Sequence, residues 1–388
     1  MQHFYFDHNA TTPVAPEVLE TAVSCLGQVY GNASSIHHFG QAAKQKLEAA
    51  RRQVAALIHA SPGEVVFTSG GTEADNLAVF GVAGGVVRAA TRPQAHLITS
   101  AIEHPAVLAA SAQLEREGVA VTRLPVSAGG TVNPDDVRRA LRPETVLVSI
   151  MHANNELGTV QPVAEIARIA REAGVPLHVD GVQALGKIAV DVDALGVDLY
   201  SMSGHKLYAP KGVGALYVRK GTRLAPIAFG GHHERDRRPG TENVPGIAAF
   251  GAACELAGRT LAAESERLAS LRDRFENIVL DRISGTGING SRWNRTPNTS
   301  NIYFDAVDGE AMVIALDLRG FAVSTGSACS SGAITPSHVL TALGLSAGRA
   351  RSSLRFSLGR SNNAEQVDVL VEALSAAAIH LRRISVHA

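Results

Sequence analysis

Short apolar runs alternate with amphipathic helical stretches along the first 245 or so residues, and that alternation restricts the fold more than any other feature of the chain. The runs that read as strands are Val65–Thr68, His96–Thr99, Val119–Leu124, Val146–Met151, Leu177–Val179, Leu199–Met202 and Gly214–Val218. Between them the pattern predicts helices over Glu73–Val87, Pro105–Glu117, Pro134–Ala140 and Val163–Ala173. An earlier helix over Ala42–His59 puts Leu47, Val54, Leu57 and Ile58 on one face. Pro105 suits a first helical turn, where its missing N–H is not needed. Repeated strand–helix units imply an α/β fold, a mostly parallel sheet with helices on both faces.

The pattern changes after about residue 245. A long helical region over Gly246–Ile283 precedes a strand at Asn301–Phe304, a helix at Gly309–Leu318, a Gly/Ser loop at Ser324–Gly332, a strand at Leu354–Leu358 and a final helix from Ala364. With 388 residues the chain exceeds one ordinary core. We therefore expect a large domain over 16–250 and a smaller α+β domain formed by 1–15 with 251–388.

Charge excludes some functions. Lys plus Arg number 36 and Asp plus Glu number 36, a balance that argues against electrostatic capture of nucleic acid or membrane. The three cysteines, Cys25, Cys254 and Cys329, lie far apart without metal-type spacing, which fits a reducing compartment better than a disulfide framework. The N-terminal residues lack a signal-peptide pattern, so the expectation is a soluble, cytoplasmic protein.

Ligands of open parallel sheets bind beyond the carboxyl ends of the strands. Five strand ends here each deliver polar side chains: Ser69-Gly70-Gly71-Thr72-Glu73, Glu103-His104, His152 to Glu156, Asp180 to Gln183, and Ser203-Gly204-His205-Lys206. Five at equivalent positions suggest one shared pocket. The Gly70-Gly71-Thr72 turn opens a helix whose free N–H groups suit an anion such as phosphate, although an ordinary strand-to-helix turn or a Thr72 cap explains it equally well. It is no Walker loop, since no Lys-Ser/Thr follows the second glycine. Gly285-Thr286-Gly287-Ile288-Asn289-Gly290 fits the dinucleotide pattern, but no helix follows it, so a nicotinamide cofactor is rejected. The pairs His37-His38 and His232-His233 lack further ligands at metal spacing, and no metal is expected.

Lys206 is either a solvated surface charge or, held in a pocket, a former of Schiff bases. Asp180 is either a cap or ion-pair member, or the partner of a pyridinium nitrogen. Arg355 and Ser357 share one face of their strand opposite Leu354, Phe356 and Leu358, and a strand-based arginine can grip a carboxylate with two bonds. An exposed strand face is the competing explanation. Cys329 sits in Thr325-Gly326-Ser327-Ala328-Cys329-Ser330-Ser331-Gly332, a composition suited to movement rather than packing, and a thiolate there can act as a nucleophile. Cys25 and Cys254 fall in helix-like apolar segments and read as structural.

Taken together, Thr68 to Glu73, Asn154-Asn155-Glu156, Asp180 to Gln183 and Ser203 to Lys206 resemble the class V aminotransferases, and more narrowly the cysteine desulfurases of the NifS/IscS type. The resemblance extends from Asp7-His8-Asn9-Ala10-Thr11-Thr12-Pro13 through Gly31 to Ser35, Arg238 to Asn243 and Ser327 to Ser330, to Arg355 to Arg360. It implies the pyridoxal-phosphate-dependent transferase fold type I and conversion of L-cysteine to L-alanine, with the sulfur left as a persulfide on Cys329 for iron–sulfur assembly or tRNA thiolation. By the same resemblance Lys206 would bind the cofactor covalently, and His104 would lie over its ring. Asp180 would pair with the ring nitrogen, and Gln183 and Asn155 would contact the ring oxygen. Gly71, Thr72, Ser203 and His205 would surround the phosphate. Thr241 would reach the phosphate of a second subunit, implying a homodimer, and Arg355 with Asn32 and Asn155 would bind substrate. Where His232 stands, relatives often have a further glycine. Selenocysteine lyase, a transaminase and a non-catalytic sulfur-relay subunit are the rival readings.

Overall fold

The computed structural model describes residues 2–88, 94–326 and 336–387. Its strands are β1 (Phe4–Tyr5), β2 (Val65–Thr68), β3 (His96–Ser100), β4 (Ala120–Leu124), β5 (Thr145–Ser149), β6 (Leu177–Asp180), β7 (Leu199–Ser203), β8 (Gly214–Val218), β9 (Thr286–Ile288), β10 (Thr299–Phe304), β11 (Phe321–Ala322) and β12 (Ser353–Ser357). The main sheet has seven strands in the order β2-β8-β7-β6-β5-β3-β4. The block from β4 through β3, β5 and β6 to β7 pairs in parallel, while β8 runs antiparallel to both β7 and β2. Strand order reverses at β3, where β4 lies on one side and β5 on the other. That reversal opens a crevice at the carboxyl ends.

The sheet is apolar on both faces because neighbouring residues along each strand enter opposite cores. Val65, Phe67, Ile98, Val148 and Tyr217 join one buried cluster, while Val66, Leu97, Leu147, Leu216 and Val218 join another. Helices must then cover both faces. One cover is the Gly71–Val79 helix, which packs across β6, β7 and β8. The predicted helix over Glu73–Val87 is interrupted: a π-helical turn, Phe80–Gly84, separates Gly71–Val79 from Gly85–Arg88. The Gly81 carbonyl accepts the Ala225 N–H at 2.9 Å, a contact from outside that widens the turn.

A second layer comprises the antiparallel sheet β12-β10-β9 and the β1–β11 pair. Phe6, Ile302, Phe304, Leu354, Phe356 and Leu358 bury their side chains there against the Ala364–His387 helix. The Val244–Arg282 helix, 39 residues and roughly 58 Å long, serves both layers. Phe250, Cys254 and Leu256 enter the first core, while Leu268, Phe275 and Val279 enter the second. Its N-terminus is set by Asn243, whose side chain accepts the Gly246 N–H, and by Pro245 in the first turn. Gly251 lets this helix touch the His38–Leu57 helix, since a Cβ there would lie 2.6 Å from the Ala50 Cα. Cys25 and Cys254 are buried in helices, as expected. The glycines of the dinucleotide-like pattern flank and enter β9, and no helix follows. Among the described residues no helix is long and apolar enough to cross a membrane.

Candidate active site

A cavity of about 900 Å³ lies where the crevice predicts, at the carboxyl ends of β2, β3, β5, β6 and β7. Each wall residue arrives by a short local device. His104 follows β3 and caps the Pro105–Arg116 helix, its Nδ1 accepting the Ala106 N–H at 3.1 Å. That bond leaves Nε2 to carry the proton of the neutral ring. Burial holds His104 below the usual histidine range; Asp180 opposes this, and Lys206 and His338 reinforce it. Asp180 ends β6, and its Oδ1 accepts the Val182 N–H at 3.0 Å. The Gly204–Lys206 turn after β7 brings His205 and Lys206 to the cavity. Lys206 donates from Nζ to the carbonyls of Asn9 and Ala10, 2.6 Å each. His205 meets Thr11 Oγ1 at 3.1 Å through Nδ1, and burial with the neighbouring Lys206, Lys211 and His104 lowers it to about 4.

Gly71 places a helix N-terminus flush against the ends of β6 and β7. A Cβ at this position would lie 2.8 Å from Val182 Cγ2 and 3.3 Å from Ser203 Cβ. Gly70 caps the helix without a side-chain bond, so backbone N–H groups and the positive dipole end face the cavity beside Ser203 and His205.

Three buried carboxyl groups influence one another beside the cavity. Asp180, Asp75 and Glu103 are all pushed above the usual carboxylate range, in each case chiefly by burial. Asp75 is displaced furthest, with the Asp180 charge as second cause, whereas His104, the Val182 N–H and Lys206 pull Asp180 back down. Two negative charges are costly in one buried pair, and the groups that pull Asp180 down favour a single charge there. Asp75 Oδ1 lies 3.6 Å from His178 Nε2, but burial holds His178 near 3 and the contact is not a charge pair.

Arg355 is 2% exposed and reaches the cavity from β12. It donates to the Asn155 carbonyl at 3.1 Å and to Asp7 Oδ1 at 2.7 Å, while its buried Nε meets no hydrogen-bond partner among the described residues. A buried guanidinium on the cavity wall is suited to a ligand carboxylate.

The cavity thus gathers Gly71, Thr72, His104, Asn155, Asp180, Gln183, Ser203, His205, Lys206 and Arg355. Asn32 and Thr241 do not line it; both are exposed, and Asn32 Oδ1 accepts the Ser34 N–H. Cys329 lies outside the described residues, whereas Gly326 and Pro336 on either side of that segment line the cavity. Sequence reasoning assigned no role to Asn9, Asp75, Glu156, Lys187 or Ser337. Asn9 and Glu156 stand inside the motifs quoted above, but nothing local marks their contacts, which join segments far apart in sequence.

A lysine, a buried aspartate and a helix N-terminus beyond a mostly parallel sheet define the architecture as the transferase fold type I. The chain belongs to the aminotransferase class-V family, which it matches over residues 4–370. It is 48% identical to a protein named cysteine desulfurase IscS from Dictyoglomus turgidum, over 98% of this chain and 96% of that one. Among solved structures, a NifS-like protein superposes with a TM-score of 0.91 at 35% identity, covering 98% of this chain and all of the other. A structure of SspA in complex with cysteine superposes with a TM-score of 0.81 at 38% identity, covering 91% and 98%.

Proposed function

We propose that this protein is a pyridoxal-phosphate-dependent cysteine desulfurase, which takes sulfur from L-cysteine as a persulfide on Cys329 and leaves L-alanine. The observation that carries this reading is the convergence of Lys206, Asp180, His104, Gln183 and Arg355 on one cavity whose rim includes both flanks of the Cys329 segment. The names of the relatives and the cysteine complex of SspA support the substrate.

The residues present fit the cofactor. The glycine-lined helix end with Ser203 and His205 suits its phosphate, the Asp180 carboxyl at the end of β6 suits a ring nitrogen, and Gln183 with Asn155 suits the ring oxygen. When bound, pyridoxal phosphate supplies an electron-withdrawing ring that stabilises negative charge at the substrate Cα. Lys206 would hold it through its amine and afterwards take the Cα proton. Arg355 binds the substrate carboxylate, giving up part of its hold on Asp7. His104, with its proton on Nε2, moves a proton at the substrate side. The Cys329 thiolate takes the sulfur: an S–S bond forms, the substrate C–S bond breaks, and Cβ gains a proton. A sulfur-acceptor protein of iron–sulfur assembly or tRNA thiolation then removes the sulfur.

Two further parts belong to this reading. One is the division into 16–250 and 1–15 with 251–388, supported by the two separate cores. The other is a homodimer in which Thr241 serves the partner's phosphate site, supported by its exposure and its absence from the lining of its own cavity. The test is to incubate purified, cofactor-loaded protein with cysteine and a reductant. Alanine and sulfide should appear in equal amounts, and Cys329→Ala should keep the visible absorption band while losing sulfide release. Full sulfide release by Cys329→Ala would refute the persulfide step.

A further inference from the structure

Behind Gln183 lies a buried lysine that the chemistry above does not use. Lys187 is 9% exposed. Its Nζ donates to Gln183 Oε1 at 2.5 Å and to Asn9 Oδ1 at 2.9 Å. Burial first, then the Lys206 and Arg355 charges, hold it well below the usual lysine range. As amine or as ammonium it still donates to both oxygens.

The direction of every amide in this cluster follows from its neighbours. Asn9 Nδ2 donates to the Asn155 carbonyl at 3.1 Å, and Asn9 Oδ1 receives Asn298 Nδ2 at 3.0 Å. A carbonyl only accepts, so the Asn9 side chain has one orientation. Lys187 must therefore meet Asn9 as a donor, and its second donated bond goes to Gln183. On its other edge Gln183 Nε2 donates to the Asn9 main-chain carbonyl at 3.0 Å, the same oxygen that receives Lys206 Nζ. Gln183 is clamped with its oxygen toward Lys187 and its N–H edge toward the lysine side of the cavity.

We propose that Lys187 is a positioning residue: its donated bond to Gln183 Oε1 keeps the Gln183 amide presenting N–H, not oxygen, to the ring oxygen of the bound cofactor. This rests on the proposed cofactor and goes beyond it by naming the group that orients one of its contacts. Without Lys187 the buried Gln183 oxygen loses its partner and the amide loses half of its clamp. A bound cofactor's ring oxygen would then lack a well-aimed donor from Gln183, and a proton near Lys206 Nζ would be held more tightly. The apparent pKa of the visible absorption band therefore rises.

The test is a double-mutant cycle read by pH titration of the visible band in cofactor-loaded protein: wild type, Lys187→Met, Gln183→Leu and the double variant. Lys187→Met should move the apparent pKa upward by about one unit, the size expected for one hydrogen bond. Gln183→Leu should cause a smaller shift in the Lys187→Met background than in wild type, because the lysine acts through the glutamine. Lys187→Gln serves if the methionine variant fails to fold. It keeps a neutral donor, and a shift smaller than that of Gln183→Leu alone is expected. An unchanged titration in the Lys187 variants, or strictly additive shifts, overturns the positioning role while leaving the cofactor reading intact. A wild-type protein that gains no visible band overturns both.

Discussion

At the residue scale, the site works through partners that fix which edge of each side chain is available. Arg355 is the clearest case: two of its nitrogens are held by Asn155 and Asp7 while the guanidinium lies buried on the cavity wall. Lysine cannot reproduce that fork. Arg355→Lys should raise KM for cysteine by about 10- to 100-fold, the loss of one or two charge-assisted bonds, while the cofactor's absorption band stays in place. His104 is fixed by the Ala106 N–H on Nδ1. His104→Gln should lower kcat by about 10²- to 10⁴-fold without releasing the cofactor, checked by steady-state rates beside the bound-cofactor spectrum.

At the element scale, two contacts carry more than their size suggests. Glu156 accepts the Ser337 hydroxyl at 2.6 Å, and its carboxylate lies 2.8 Å from where a Gly326 Cβ would stand, so one buried group meets the described residues on both sides of the 327–335 segment. Ser337 also caps the His338–Ala342 helix. Ser337→Ala should cost about 1 kcal/mol of stability as a lost cap. It should also slow persulfide formation more than cofactor loading, measured by trapping the Cys329 persulfide with an alkylating probe. The second contact is Gly251 against Ala50, where two helices meet backbone to backbone. Gly251→Val should destabilise the protein by about 1–3 kcal/mol in denaturant unfolding, with the active-site spectrum unchanged.

At the scale of the whole molecule, buried titratable groups set the pH range in which the fold holds. Burial lowers His152 to about 4 and His178 to about 3, so both stay neutral in the folded chain. The unfolded chain binds protons at these sites from about pH 6.5 downward. Their contribution is complete above that pH and is lost as pH falls through 6.5 toward 4 and 3. Glu103 works the other way. Burial raises it to about 8, so the folded form keeps its proton where the unfolded form has lost it, and stability declines as pH rises from about 4.5 to 8. Glu103→Gln should accordingly stabilise the protein at pH 8 relative to its effect at pH 5, read from thermal unfolding at the two pH values. A further stake on the whole fold is the buried pair Arg51–Glu234, two parallel bonds of 2.8 Å that join the His38–Leu57 helix to the segment before Thr241. Glu234→Ala should cost about 3–5 kcal/mol, since it strands a buried guanidinium.

Much of this was legible in the linear chain. Short apolar runs and strand-to-helix turns are local signals, and they placed β2 through β8 within a residue or two and put the cavity at the correct strand ends. Charge balance and the motif residues Gly71, His104, Asp180, Lys206 and Arg355 were equally visible, because each sits in a short pattern whose chemistry is local. The order of the sheet was not visible, since pairing β3 with both β4 and β5 is decided by packing between distant segments. Nor was the role of Asn9, whose bonds reach Gln183, Lys187, Lys206, Thr299 and Ser357 only after the chain has brought its start beside its middle and its end. Hydrogen-bond direction and burial are properties of a completed neighbourhood, so tertiary structure alone decided which carboxyls are buried together, which amide edge meets Asn9 and which lysine stands behind it.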